Sequence, residues 1–273
     1  MKRSLPQLAV NGALVLIAAL TLLPLLWMAS VSLMPPGSAS SYPPPLWPAH
    51  ATLENYRELF SHGQMGARFL MSLRIASAAT LLSLSFNVSA GYAFAKLRFP
   101  GRARIQRIMV GALVIPAQIA MLPLFLMLKT MGLVNTLAGV LVPWLAGVFS
   151  IFLVRQHAAT VPDEILEAAR LDGAGEIRIF LQIVLPLLTP ILVTLAVFTF
   201  LGAWNDFMWP LIMLNDGNLY TLPVALASLS REHVQDTEMM MAGSVVTVLP
   251  VLVLFLALQR FYLQGTTGGA VKG

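Results

Sequence analysis

The feature that most constrains this chain is a set of six stretches with no Asp, Glu, Lys or Arg: about Leu8–Leu33, Ile75–Ala95, Ile108–Leu128, Leu137–Val154, Ile179–Ala203 and Met239–Leu258. A helical run of about 20 apolar residues matches the hydrocarbon thickness of a bilayer. Inside hydrocarbon no water is available to backbone N–H and C=O groups, so a span must satisfy them internally, as an α-helix does. Barrel strands would be about half as long and would alternate in polarity. The implied fold class is all-α, a membrane protein with six transmembrane helices. Composition agrees, at 58% hydrophobic and 11% charged. No internal repeat recurs at a fixed period, and residues 1–273 read as a single membrane domain.

Orientation follows from the basic residues, which concentrate in cytoplasmic loops. With six spans the termini share a side with the loops after the second and fourth spans. That side holds Lys2, Arg3, Lys96, Arg98, Arg102, Arg104, Arg107, Arg155, Arg170, Arg178, Arg260 and Lys272, out of 17 Lys and Arg in all. The other side holds Arg57, Arg68, Arg74, Lys129 and Arg231. Both termini are therefore expected in the cytoplasm. The formal net charge of +5 reflects this asymmetry and not nucleic-acid binding, because the basic residues flank spans. Met1-Lys2-Arg3 before an apolar run resembles a signal peptide, but the run is too long and Ser38-Ala39-Ser40 is a weak cleavage site, so it reads as an uncleaved first span. The chain has no cysteine, which excludes disulfides and thiol chemistry.

Between the spans, MPPGSASSYPPPLWPAH (34–50) is proline-rich and predicts a stiff, extended outer strap. In ATLENYRELFSH, Leu53, Tyr56 and Phe60 fall on one helical face, as in a short helix lying in the interface or an ordinary amphipathic loop helix. KLRFPGRARIQR turns at Pro100-Gly101, and its basic residues suit topology and contact with anionic headgroups. The segment Asn215–Glu238 reads as a longer outer loop.

One run breaks the apolar pattern. Asp163, Glu164, Glu167, Arg170, Asp172, Glu176 and Arg178 crowd into the loop after the fourth span. Thr160 suits a helix cap and Pro162 a first turn. Asp163 and Glu164 then face the positive end of the helix dipole and Arg170 the negative end. Gly173 supplies the stop, because glycine tolerates positive φ. A second helix starts near Ala174 and Gly175, with Ile177, Phe180, Leu181 and Val184 on a greasy face and Pro186 kinking it into the fifth span. A solvated surface helix would carry such charges too. The admixture of small Ala168, Ala169 and Ala174 with apolar Leu166, Leu171 and Ile177 favours a surface that docks into a partner's groove.

Glu167-Ala168-Ala169, Gly173, Ile183 and Leu185-Pro186 fill each fixed position of E-A-A-x3-G-x9-I-x-L-P, so the run resembles the EAA signature of ABC importer permeases. Asp172-Gly173-Ala174 resembles the version in the carbohydrate, maltose-type subfamily, whose six-span subunits are permeases. Asn55-Tyr56, Ala90-Gly91-Tyr92-Ala93, Phe99-Pro100-Gly101, Trp204-Asn205-Asp206-Phe207, Tyr220-Thr221-Leu222-Pro223 and the ending Gly268–Gly273 extend the resemblance over most of the chain. It implies a coupling helix pair at about 160–178 that sits in a cleft of an ATPase subunit. Glu167 would be the charged anchor, Ala168 and Ala169 would allow close packing, Gly173 would be the elbow, and Arg170 and Asp172 would contribute. It further implies import of a sugar or polyol across a bacterial cytoplasmic membrane by alternating access. The partners would be two ATPase copies, a second homologous permease and an extracytoplasmic solute-binding protein. ATP and Mg would bind in the ATPase, and the tail Gln264–Gly269 would reach toward it.

The chain itself shows no G-x4-G-K-[ST] phosphate loop, no H-E-x-x-H and no G-x-S-x-G, and its histidines are scattered, so no catalytic, cofactor or metal set is expected. Polar and aromatic groups near membrane depth are candidates for a substrate path: Asn87, Gln118, Phe149, Phe152, Trp204 and Asn205. Asn87, Ser83 and Ser85 fit hydrogen bonding between helices as well as a path. Gln118 fits a pore wall or the relief of the kink at Pro116, and Pro116, Pro123 and Pro143 fit broken spans or plain kinks. Asp206 lies among Trp204, Trp209 and Pro210, an interfacial setting; the alternative makes it the ion site of a self-sufficient transporter.

Overall fold

Each of the six apolar runs is built of helix, but three are single helices and three are bent. The computed structural model describes residues 5–61, 64–232 and 236–267. In chain order the helices are α1 (Leu5–Ser32), α2 (Glu54–Ser61), α3 (Met65–Lys96), α4 (Arg102–Ala112), α5 (Ala117–Thr130), α6 (Leu137–Leu141) and α7 (Val148–Ala159). They continue with α8 (Asp163–Leu171), α9 (Glu176–Ile179), α10 (Leu185–Leu187), α11 (Thr189–Trp204), α12 (Met208–Met213), α13 (Leu222–Glu232) and α14 (Thr237–Thr267). No strand occurs among the described residues. The chain divides into two compact units, one of Met1–Phe69 with Leu222–Leu252, the other of Leu70–Thr221 with Val253–Gly273.

In the first unit, α1 ends in a polar knot. The Asn55 amide donates to the carbonyls of Ser32 (2.9 Å) and Met34 (2.8 Å), which the helix end leaves without intrahelical partners. The Ser32 and Tyr56 hydroxyls share a hydrogen bond of 2.8 Å. The proline-rich strap is not the stiff, extended segment expected from its composition. Ser30 Oγ donates to Leu46 O (2.6 Å), and the fully buried Glu238 accepts from the Ala39 N–H (2.6 Å). These bonds fold the strap back, because each buried polar group needs a partner. In α2 the buried residues are Asn55 and Leu59, while Leu53 and Phe60 stay exposed. The expected outer loop 215–238 contains α13, whose Leu222, Val224 and Ala225 are buried. Residues 233–235 lie outside the described residues, as do Lys2 and Arg3 and the expected tail from Gly268 on; Gln264–Thr267 still belong to α14.

The second unit holds the bent runs. α4 and α5 meet at 111°, the two halves of the fourth run at 43°, and Glu176–Leu187 and Thr189–Trp204 at 80°. Proline explains where they break: Pro116 stands at the head of α5, Pro143 lies in the 3-10 turn after α6, and Pro186 and Pro190 flank the last bend. Between α9 and α10 the backbone makes a π turn, Phe180–Val184. The extra residue per turn shifts the helical phase, so Ile179 and Val184 are buried while Ile177 and Leu181 are exposed, against the single greasy face expected. Gly91 is required by space: a Cβ there would lie 2.6 Å from Val154 side-chain atoms, so α3 and α7 cross in close contact.

Candidate functional site

Local chemistry dictates the charged loop. α8 carries Asp163 and Glu164 in its first turn and Arg170 in its last, as the dipole favours. Its cap differs from expectation. Thr160 turns back and donates to His157 O (2.8 Å), closing α7, and Pro162 precedes α8 with no side-chain cap. Gly173 has φ of 82°, and the bonds Ala174 N–H to Ala169 O (2.9 Å) and Gly173 N–H to Arg170 O (3.0 Å) form a Schellman stop. A Cβ on Gly173 would meet nothing within 4 Å, so the glycine serves backbone conformation and not space.

The loop has two faces. Leu166 is 1% exposed, and with partly buried Ala169 and Ala174 it packs into a core of Val88, Tyr92, Val154, Ala158, Ile179 and Val184. Leu171 and Ile177 are 89% and 77% exposed and stand on either side of the elbow. The three apolar residues grouped from sequence therefore separate, Leu166 inward and the other two outward. Glu167, Ala168 and Asp172 are also exposed.

Polar contacts tie the loop to α3. Glu176 accepts from Arg170 Nε (2.7 Å) and from the Tyr92 hydroxyl (3.0 Å), and the Tyr92 ring lies on Phe180 at 5.0 Å between centroids. Lys96 Nζ donates to Asp163 Oδ1 (2.6 Å) and to Val161 O (2.6 Å). The Arg170 hydrogen bond holds the Glu176 carboxyl below the usual range, with burial opposing and the Tyr92 hydroxyl assisting. The hydrogen bond from Lys96, then its charge, holds Asp163 down, and Glu176 raises Arg170. Arg102 donates to Leu97 O (3.0 Å) and Ala95 O (3.2 Å), satisfying carbonyls at the end of α3. An open cleft of about 520 Å³ lies beside these contacts, with Lys96, Arg98, Glu167 and Arg170 on its walls. Sequence reasoning placed Asp163 and Glu176 as dipole and surface charges and gave Tyr92 and Lys96 no part here. The one available signal was their spacing, four apart on one helical face.

The expected path residues have different surroundings. Asn87 is buried, donates to Ser83 Oγ (2.7 Å) and accepts from the Gly147 N–H (3.0 Å) at the break before α7. Ser85 bonds within its own helix, to Leu81 O. Phe152 borders a small cavity with Phe94, Gln106 and Arg155. Trp204 is buried and stacks on Phe200 at 6.0 Å. Asn205 is exposed and donates to Leu201 O (2.9 Å); Gln118 and Phe149 are exposed. Asp206 accepts from the Trp209 N–H (3.3 Å) at the start of α12, a helix-end role that suits its interfacial setting.

Known proteins of the same kind match this sequence and fold. The arabinooligosaccharides transport system permease protein AraQ of Halalkalibacterium halodurans is 38% identical over 227 residues, 83% of this chain and 81% of that protein. The diacetylchitobiose uptake system permease protein NgcG of Streptomyces coelicolor is 33% identical over 254 residues, 92% and 84% of the two chains. A crystal structure of a bacterial ABC transporter involved in alginate import superposes with a TM-score of 0.82 at 22% identity, covering 96% of this chain and 99% of that one, a likeness of fold. Residues 87–266 match the family model described as binding-protein-dependent transport system inner membrane component. Six apolar helical runs, an EAA signature folded around a glycine elbow and this match agree: the chain belongs to the family of binding-protein-dependent transport system inner membrane components.

Proposed function

We propose that this chain is one of two homologous permease subunits of an ATP-driven importer, and that its cargo is a sugar or related polyol. The observation that carries the reading is the complete EAA signature, Glu167 to Pro186, folded so that its outer face offers Leu171, Ile177, Glu167 and Asp172 while its inner face is core. Such a mixture of apolar tips and fixed charges fits a groove on a partner. The partner in this reading is an ATPase, present in two copies, which holds ATP and Mg. Closure of the ATPases on ATP moves the elbows, and the membrane helices alternate between inward and outward access. Both termini and the elbow lie in the cytoplasm, and a solute-binding protein delivers cargo to the opposite side, the side of the outer loops. The printed names of the relatives, transporters of arabinooligosaccharides and diacetylchitobiose, support a carbohydrate cargo. The helix-end bond of Asp206 weighs against its use as the ion site of a self-sufficient transporter.

Co-purification tests this. The tagged chain, co-expressed with its genomic neighbours and extracted in mild detergent, is expected to bring down an ATPase and a second permease. Glu167→Arg is expected to lose the ATPase and keep the second permease. Recovery of the wild-type chain alone, moving solute in liposomes without ATP, would overturn the reading.

A further inference from the structure

Two residues one turn apart on α3, Tyr92 and Lys96, grip both halves of the coupling pair. Lys96 holds the beginning of α8 through Asp163 Oδ1 and the incoming strand of chain through Val161 O, each at 2.6 Å. Tyr92 holds the beginning of α9 through Glu176, and Arg170 closes the set by joining the end of α8 to the same carboxylate. The partners are 67 and 84 residues apart in the chain, so these contacts owe nothing to local connectivity. Exposed ion pairs are weak and slip easily. Here the two donors on α3 are covered while their acceptors stay open: Tyr92 is 4% exposed and the Lys96 side chain 6%, against 72% for Asp163. Their bodies are packed, which fixes where the polar tips point.

The same helix reaches a break in another run. Nine residues before Lys96, Asn87 accepts from the Gly147 N–H at 3.0 Å. Gly147 heads α7, directly at the 43° bend of the fourth run. Just past Asn87, Gly91 brings α3 against Val154 with no room for a Cβ. α3 is thus fastened at one end to the coupling pair and further along to the point where α6 gives way to α7.

We propose that the C-terminal half of α3 is a lever, with Tyr92 and Lys96 as positioning residues that make it move as one body with α8 and α9 and carry that movement to the bend at Gly147. This rests on the importer reading above. Direct connection through the chain moves α7 and α11 when the elbow moves; the grip recruits α3, which is joined to the elbow by no short segment.

The chain has no native cysteine, so an introduced pair carries its only labels, and the partner subunits are used in cysteine-free form. Spin labels on Arg98→Cys and Glu164→Cys report the distance between the segment just past the end of α3 and α8. It is measured in the assembled, lipid-reconstituted transporter, nucleotide-free and trapped with Mg-ATP and vanadate. With the grip intact, that distance is expected to be the same in both states. With Tyr92→Phe and Lys96→Met, which keep bulk and remove the polar tips, it is expected to change by about 2 Å or more, the size of a helix shift. Solute moved per ATP is expected to fall at least about fivefold, and Lys96→Arg to restore both readouts. A distance that changes with nucleotide in the gripped protein, or one that stays fixed with normal transport in the double variant, overturns the lever. If no ATPase accompanies the wild-type chain, the importer reading falls instead. The width of the distance distribution then decides the grip, which is retained if the double variant broadens it and overturned if the widths match.

Discussion

The elbow at Gly173, a glycine turn between two short helices, and the junction around Gly139, inside the short helix α6, are held in opposite ways. At the junction the contacts run to the backbone and lie against a buried cluster. Asn135 accepts from the N–H groups of Asn215 (2.9 Å) and Asp216 (3.0 Å), its own N–H donates to Met213 O (2.8 Å), and Trp209 Nε1 donates to Gly139 O (3.2 Å). Met71, Ile75, Leu128, Val140, Trp209, Met213 and Leu214 pack into one buried cluster around it. At the elbow the contacts run mainly between side chains whose acceptors are open to the surface, the space around Gly173 is open, and Leu171 and Ile177 point outward. The difference teaches where each region spends its chemistry. The junction uses its groups on itself and is fixed. The elbow leaves its tips available and relies on α3 and on Leu166 behind it for position.

The hardest test of that contrast is Gly139→Val. A Cβ there would run into Leu133 O, a backbone atom that cannot withdraw without moving the chain, and into Met213 Cε of the buried cluster. Overpacking of this kind costs about 3 kcal/mol. The variant is expected to accumulate poorly in membranes and to lose its monodisperse peak in detergent; a normal peak would show that the junction is not the fixed point described.

Gly173→Pro is the matching test at the elbow. Proline holds φ near −65° and has no N–H to give Arg170 O, so it cannot occupy the Schellman position. With open space around it, the change is expected to leave the amount of folded chain near wild type while solute uptake falls to background. Wild-type uptake would remove the elbow from the mechanism.

The two regions also differ in how far the sequence exposes them. Gly173 was legible because a helix stop of positive φ has few solutions, and the six runs because hydrocarbon leaves a backbone few options. Prolines marked the breaks, but the 111° and 80° angles depend on packing that no local pattern encodes. The division of Leu166 from Leu171 is a matter of helical phase over nine residues, readable in principle once the inward side is known. The π turn at Phe180–Val184 moved that phase again and hid which of Ile177 and Ile179 is buried. The bonds of Glu176 to Tyr92 and of Asp163 to Lys96 were out of reach, since they join residues brought together only by the fold. Asn135, which organises the junction with φ of 60°, carried no signal beyond the tolerance of asparagine for that conformation.

The smallest expected effect separates the regions by pH. Both acids of the elbow, Asp163 and Glu176, are held below the usual carboxylate range by their hydrogen bonds to Lys96 and Arg170. A group whose value falls on folding adds stability above its ordinary value, and that addition is lost as pH drops through the lowered one. Ordinary values are about 3.9 for Asp and 4.3 for Glu, so the contribution is constant from pH 8 to about 5.5 and fades below about pH 4. Arg170 shifts upward and stays charged throughout this window, so the acid limb belongs to the two carboxylates. Solvent screening keeps the limb shallow, because the Asp163 side chain is 72% exposed. Thermal unfolding of the solubilised chain from pH 8 to 3.5 is expected to show Asp163→Asn and Glu176→Gln below wild type at neutral pH and converging with it in acid. Trp209→Phe removes a buried bond with no titrating partner, so its deficit is expected to stay constant over the same range. Parallel curves for all three variants would mean that the surface pairs do not hold the elbow, leaving its position to Leu166 and the apolar core beneath it.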